Sequence, residues 1–289
     1  VSEPRSVAAS LEEYGRGVAG GLIFSLPLLY TQEVWDIGAA MGPGRLLAGL
    51  GATFLLLIGY NRFAGLRRDA GWAEVLIDSV EELGIGLLLA AFVLWLLHRV
   101  SAEMQPAAVV GAVMLEGLLA AIGVSVGTAQ LGGGEEQGDE EQGDEDKGGK
   151  DQGHGQGAGR GVAGRLALSA CGAILIAANV APTEEVLIIA GAAGGWRLLA
   201  SALLAMLLTA LIVFFSDFVG SGPRPPGFTM LRVTVNTYAV ALLGSAALLW
   251  FFGRLEGQAV DVVIARIVVL SLPAALGASA GRLLLQGGG

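Results

Sequence analysis

Apolar residues in this chain gather in eight long runs, and polar and apolar positions alternate in none of them. The runs cover residues 17–40, 46–60, 73–97, 106–128, 165–190, 196–215, 230–252 and 261–281, and Leu, Ala and Gly dominate them. A helix needs roughly 20 residues to cross the hydrocarbon of a bilayer, whereas a barrel strand alternates with period two. The pattern predicts an all-α polytopic membrane protein with eight transmembrane helices. Turn chemistry separates the runs at Gly42-Pro43-Gly44, at Gly194-Gly195, and at Gly220-Ser221-Gly222-Pro223.

The runs also repeat. Leu94-Trp95-Leu96-Leu97-His98-Arg99 returns as Leu249-Trp250-Phe251-Phe252-Gly253-Arg254, 155 positions later. Ala120-Ala121-Ile122-Gly123-Val124-Ser125-Val126-Gly127 returns as Ala274-Ala275-Leu276-Gly277-Ala278-Ser279-Ala280-Gly281 after 154. Thr31-Gln32-Glu33-Val34 and Arg45-Leu46-Leu47-Ala48 return as Thr183-Glu184-Glu185-Val186 and Arg197-Leu198-Leu199-Ala200, both after 152. Four matches in one order at nearly one offset predict two four-helix repeats, a recurring way to build transporters. The expected organisation is an N-terminal cytoplasmic segment at 1–16, a first repeat at 17–128, a linker at 129–164 and a second repeat at 165–289. Gly123-x-x-x-Gly127 and Gly277-x-x-x-Gly281 predict close helix contacts with equivalent neighbours in the two halves.

The linker changes the reading of charge. Eight of the 26 acidic residues fall between Glu135 and Asp146, which leaves 18 against 17 basic ones. The net charge of −9 is therefore local. The linker holds Gly, Glu, Asp and Gln with almost no large apolar residue, so it cannot bury enough surface to fold. It lacks the spaced ligands of a calcium loop. Even with the linker included, the 289 residues are 54% hydrophobic, with a mean hydropathy of +0.66, too apolar for a water-soluble domain. No basic patch with interleaved aromatics is present, which excludes nucleic acid as a partner and leaves the lipid bilayer. Residues 1–16 are polar and acidic and do not form a cleavable signal peptide.

Basic residues set the orientation. With the N-terminus inside, twelve Lys and Arg fall on cytoplasmic stretches, and Arg45, Arg99, Arg197 and Arg254 fall outside. The excess predicts a multi-pass protein of the plasma membrane with both termini and the linker cytoplasmic. Four helices per half then make the repeats parallel, not inverted.

Polar side chains inside such helices are the candidates for function, because each costs roughly 2.5–3.5 kcal/mol or more at the bilayer centre. Pro27 precedes Thr31 and Glu33, and Pro182 precedes Thr183, Glu184 and Glu185. Proline removes a backbone donor, so both helices should kink or break, and freed carbonyls beside carboxylates offer a cation site. The alternative is that both motifs mark an outer helix end. Asp78, Glu81 and Glu82 share one helix face. They suit proton or cation exchange, unless the span starts at Leu83 and leaves them among headgroups. At the repeat offset Glu81 aligns with Asn236, Glu82 with Thr237 and Asp78 with Val233. Glu116 lies within the fourth run, and Arg266 aligns one turn from it, which predicts a buried ion pair between the halves.

Two histidines and one cysteine, Cys171, allow neither a disulfide framework nor a haem or Cys-based metal site. No Ser–His–Asp set, HExxH or phosphate-cradling Gly-Lys-Ser/Thr loop occurs, so neither an enzyme nor a cofactor is expected.

At Phe24-Ser25-Leu26-Pro27-Leu28-Leu29-Tyr30-Thr31-Gln32-Glu33, Ala181-Pro182-Thr183-Glu184-Glu185 and Leu272-Pro273-Ala274-Ala275-Leu276-Gly277 the chain resembles a bacterial "putative integral membrane protein" family of unknown function. The resemblance covers nearly the whole chain. It implies a single-span membrane protein as partner and implies no activity.

Two readings of function follow. One is a cation or proton-coupled transporter or channel, with Glu33, Glu184, Glu185, Asp78, Glu81 and Glu82 converging on one water-filled path. The other is a non-transporting membrane subunit or sensor that scaffolds a small membrane partner. Homo-oligomerisation is compatible with either.

Overall fold

In a computed structural model of the chain, the described residues are 7–64, 71–130, 156–217 and 227–283. They form ten helices joined by turns, with no strand among them. In chain order these are α1 (Val7–Leu29), α2 (Gln32–Ala40), α3 (Pro43–Ala64), α4 (Trp72–Leu96), α5 (Pro106–Gln130), α6 (Gln156–Ala177), α7 (Glu184–Ala192), α8 (Gly195–Asp217), α9 (Gly227–Phe251) and α10 (Val260–Leu283). The greater part of the expected linker, and the turn expected at Gly220 to Pro223, lie outside the described residues. The linker's ends are helical, through Gln130 in α5 and from Gln156 in α6.

Six helices are long and apolar enough to cross a membrane: α3, α4, α5, α8, α9 and α10. Two of the expected runs are each divided between two helices. Run 17–40 is divided between α1 and α2, and run 165–190 between α6 and α7. The breaks follow from proline and from threonine caps. Pro27 still fits inside α1, but the chain leaves the helix at Tyr30, and Thr31 opens α2 with extended backbone at φ −99° and ψ 115°. The second break spans 178–183, and Thr183 precedes α7 with φ −77° and ψ 158°.

Each half is built around one buried helix. α1, α2, α3 and α4 all pack on α5, and α6, α7, α8 and α9 all pack on α10. Glycine permits the closest crossings. A Cβ on Gly20 would stand 2.4 Å from the Gly127 Cα, and one on Gly172 would stand 2.2 Å from the Gly277 carbonyl oxygen. Both small-residue motifs thus meet the expected neighbours: Gly123 and Gly127 seat α1, and Gly277 and Gly281 seat α6. α1 and α2 lie in succession along α5. Gly20 and Gly21 meet Gly127, Val124 and Ala120, and Gly38 meets Gly111 and Ala112. The break between them therefore faces the middle of α5.

The halves join where α3 packs on α6, with Tyr60 of α3 buried among Leu168, Cys171 and Leu175. Tryptophan and arginine stack at the helix ends. Arg99 lies 3.9 Å from the Trp35 ring centroid, Arg45 5.7 Å from Trp250, and Arg62 5.5 Å from Trp72 at the opposite end. Such belts mark where a membrane protein meets the interface.

Candidate functional site

The three acids of α4 share a face as their spacing requires, yet they meet three environments. Glu82 is buried at 8% exposure, Asp78 is half-buried and Glu81 is exposed. α4 begins at Trp72, so Glu82 stands ten residues in, about 15 Å along the helix.

Two other helices supply what a buried carboxylate needs. Asn61, in the last turn of α3, donates through Nδ2 to the Glu82 Oε2 at 2.7 Å and to the Ser79 Oγ at 3.1 Å. Its Oδ1 accepts from the Ser125 Oγ of α5 at 3.0 Å. The Ser79 hydroxyl donates to the Val75 carbonyl at 2.7 Å. Asn61 thus uses both ends of its amide, and α3, α4 and α5 are tied together at one level. A hydrogen bond to a charged group contributes about 1.5–3 kcal/mol, and leaving the charge unmatched costs at least as much.

Above Glu82 a small cleft opens between α1, α3, α4 and α5. Glu13, Tyr14, Asp78, Glu81 and Thr128 complete its wall, and its space for water centres is about 30 Å3. A water needs roughly 10–15 Å3 by this measure, so the cleft admits about two. The Tyr14 hydroxyl donates to the Glu81 Oε1. This bond, with the charge of Glu81 behind it, raises the Tyr14 phenol above its ordinary value.

The other expected site residues lie elsewhere. Glu33 opens α2 beside the break, half-buried. Glu184 and Glu185 open α7 and are exposed. None of the three lines the cleft of Glu82. Several carbonyls at the breaks are taken by the chain itself. Thr31 Oγ1 donates to the Pro27 oxygen at 2.6 Å and Trp35 Nε1 to the Leu29 oxygen at 3.0 Å. Thr183 Oγ1 donates to the Val180 oxygen at 2.8 Å, and Arg254 donates to the Pro182 oxygen.

The expected pair of Glu116 and Arg266 is not formed. Arg266 donates instead to the Arg254 carbonyl and, at 3.0 Å, to the Gln258 Oε1. Its helix, α10, packs on α6, α7, α8 and α9, while α5 is enclosed by the first half and α6. Glu116 is fully buried, and neither carboxylate oxygen has a hydrogen-bond partner.

Sequence reasoning missed Asn61, Ser125 and Tyr14. The available signal was weak: a lone Asn at the end of an apolar run, and a Ser within a glycine-rich helix. Among the described residues, no three His, Cys, Asp or Glu side chains are grouped to hold a metal ion.

A family described as "Putative integral membrane protein (DUF2391)" matches residues 13–285. The chain belongs to this family. As a DUF2391 member with six long apolar helices, it is an integral membrane protein. Neither the curated proteins nor the solved structures contain a match to it. The match takes in all of α2 to α10, and so both the Glu82 cleft and Glu116.

Proposed function

We propose that this DUF2391 protein moves protons across the membrane by a carboxylate path that opens at Asp78 and Glu81 and passes Glu82. The observation that carries the reading is Glu82 itself: a buried acid, held by Asn61 at 2.7 Å, beneath a cleft that admits water. Acids inside membrane helices most often mark ion pathways. Glu33, Glu184 and Glu185 have no part in this entrance.

The architecture behind the proposal is eight crossings in two parallel repeats, with α1–α2 and α6–α7 as broken crossings. The helix lengths support it. They run 23, 9, 22, 25 and 25 residues, then 22, 9, 23, 25 and 24. At the repeat offsets Asn61 falls on Val213, Ser79 on Thr234, Glu82 on Thr237 and Ser125 on Ser279. The second half keeps the small hydroxyls and loses the acid and its amide. The path thus belongs to the first half, in the plasma membrane with both termini cytoplasmic.

Purified protein in vesicles should acidify the lumen under an imposed proton gradient. Glu82→Gln should reduce the flux to that of empty vesicles, and Glu184→Gln should leave it unchanged. Equal flux through the wild type and Glu82→Gln overturns the reading.

A second reading, a subunit that holds a small membrane partner, draws on a different face. α8 and α9 leave an apolar groove of about 390 Å3 lined by Leu203, Met206, Leu207, Met230, Leu231 and Thr234. Co-purification with a one-span protein, lost on Leu207→Trp, supports this reading. Its absence in mild detergent counts against it.

A further inference from the structure

Glu116 is the most deeply enclosed acid among the described residues, and the Glu82 cleft does not use it. It lies ten residues from Pro106 and fourteen from Gln130, near the middle of α5. Its exposure is 0% and both oxygens lack a donor. On a helix of 3.6 residues per turn, Ala112, Ala120 and Gly123 share its face. Those residues meet α2 and α1: Ala112 touches Gly38, Ala120 lies at Gly21, and Gly123 lies at Gly20 and Phe24. Glu116 therefore stands between the part of α5 that seats α1 and the part that seats α2. Val34, in the first turn of α2, belongs to one buried cluster with Leu115 and Leu119. The break at Tyr30 and Thr31 is thus set against the turn of α5 that carries Glu116.

We propose that Glu116 is a proton-binding site facing this break, where a proton joins a carboxylate oxygen from one side of the membrane and leaves to the other. Three observations support it. A charge buried without a partner is too costly to persist, so a role in which the group carries a proton accounts for its burial. Discontinuous helices are where transporters place such sites. At the repeat offset of α5 the second half holds Leu270, also fully buried, so the fold itself accepts an apolar residue there. Glu116 is thus not required for packing.

The surrounding charges leave Glu116 unpaired. On α1, Glu12, Glu13, Tyr14 and Arg16 sit toward the opposite end. On α2, Glu33 is half-buried beside the break and Asp36 is exposed. On α3, Arg45 pairs with Glu256, and Arg62 stacks on Trp72. On α4, Asp78, Glu81 and Glu82 belong to the cleft. On α6, Cys171 lies against α3, and Arg165 is exposed. Nine residues of α5, about 13 Å of helix, separate Glu116 from Ser125 at the Glu82 level.

The site deepens the proton-path reading but is tested apart from it. Infrared difference spectra of the full chain in phosphatidylcholine vesicles should show a carboxylic-acid C=O band at neutral pH that declines as the pH rises. That band should vanish in Glu116→Gln and shift in Glu116→Asp. Dicyclohexylcarbodiimide, an apolar reagent for protonated carboxyls, should label position 116 in the wild type only. Glu116→Leu, which copies Leu270, should fold and lose both signals. A wild-type spectrum identical to that of Glu116→Gln overturns the inference, and so does a band that no pH removes. A titrating band in a protein that passes no protons would sink the transport reading and, with it, the passage of a proton through Glu116 from one side to the other. Flux that needs Glu82 but survives Glu116→Leu would overturn the Glu116 site and leave the transport reading standing.

Discussion

Asn61 shows how much one side chain decides and how little of that is visible in sequence. It serves Glu82, Ser79 and Ser125 at once. Asn61→Ala should lower stability by about 2–3 kcal/mol, because a buried carboxylate loses its donor. Adding Glu82→Gln should recover most of that loss, as read by a double-mutant cycle on thermal unfolding in detergent. Additive losses would show that the bond contributes nothing. Nothing local marks Asn61, which follows an apolar run and precedes Arg62. Its burial depends on α4 and α5, which are distant in sequence. The acids were legible because charge inside an apolar run is expensive wherever it falls; their partners, being neutral, were not. The expected Glu116–Arg266 pair failed for the same kind of reason. Alignment at a repeat offset gives the level of a residue along its helix but not which helices touch.

Tyr14 offers a test by pH at the mouth of the cleft. Its neutral form donates to Glu81, so its pKa is raised. The contribution to stability is present below the ordinary tyrosine range and is lost as pH rises through the raised value. Tyr14 should ionise later than free tyrosine in an ultraviolet titration, read as the difference from Tyr14→Phe. Glu81→Gln should bring it back. A titration that Glu81→Gln leaves unmoved would deny the bond.

At the scale of elements, the apolar runs located α3, α4, α5, α8, α9 and α10 within a few residues, because hydrophobic length is a property of the local sequence. Where runs 17–40 and 165–190 divide was less legible. Proline signalled a kink, but Thr31 and Thr183, four and one residues further on, place the new helix start. Small residues carried the contact map. Gly20→Val should disrupt the seating of α1 on α5, since even a Cβ would stand 2.4 Å from the Gly127 Cα. Gly51→Ala, in α3 where an added Cβ meets nothing within 4 Å, should raise stability by about 0.5–1 kcal/mol. Thermal melts that rank the two variants the other way would contradict the α1–α5 contact.

For the whole molecule, the excess of basic residues on one set of loops makes a prediction about sidedness that the helices alone do not. The native Cys171 is buried, which leaves the chain nearly silent to thiol reagents and suited to added cysteines. Ser101 lies in the turn between α4 and α5, on the side away from the linker if α5 crosses the membrane. Gln152→Cys places a thiol within the linker itself. In intact cells a membrane-impermeant maleimide should label Ser101→Cys and spare Gln152→Cys, and lysis should expose the second. The reverse pattern would invert the protein and turn the mouth of the Glu82 cleft outward. The direction in which a gradient drives protons past Asp78 and Glu81 would then be reversed as well. Labelling of both in intact cells would mean that α5, the helix between the two positions, does not cross the membrane. Glu116, near the middle of that helix, would then face an interface and not a pathway.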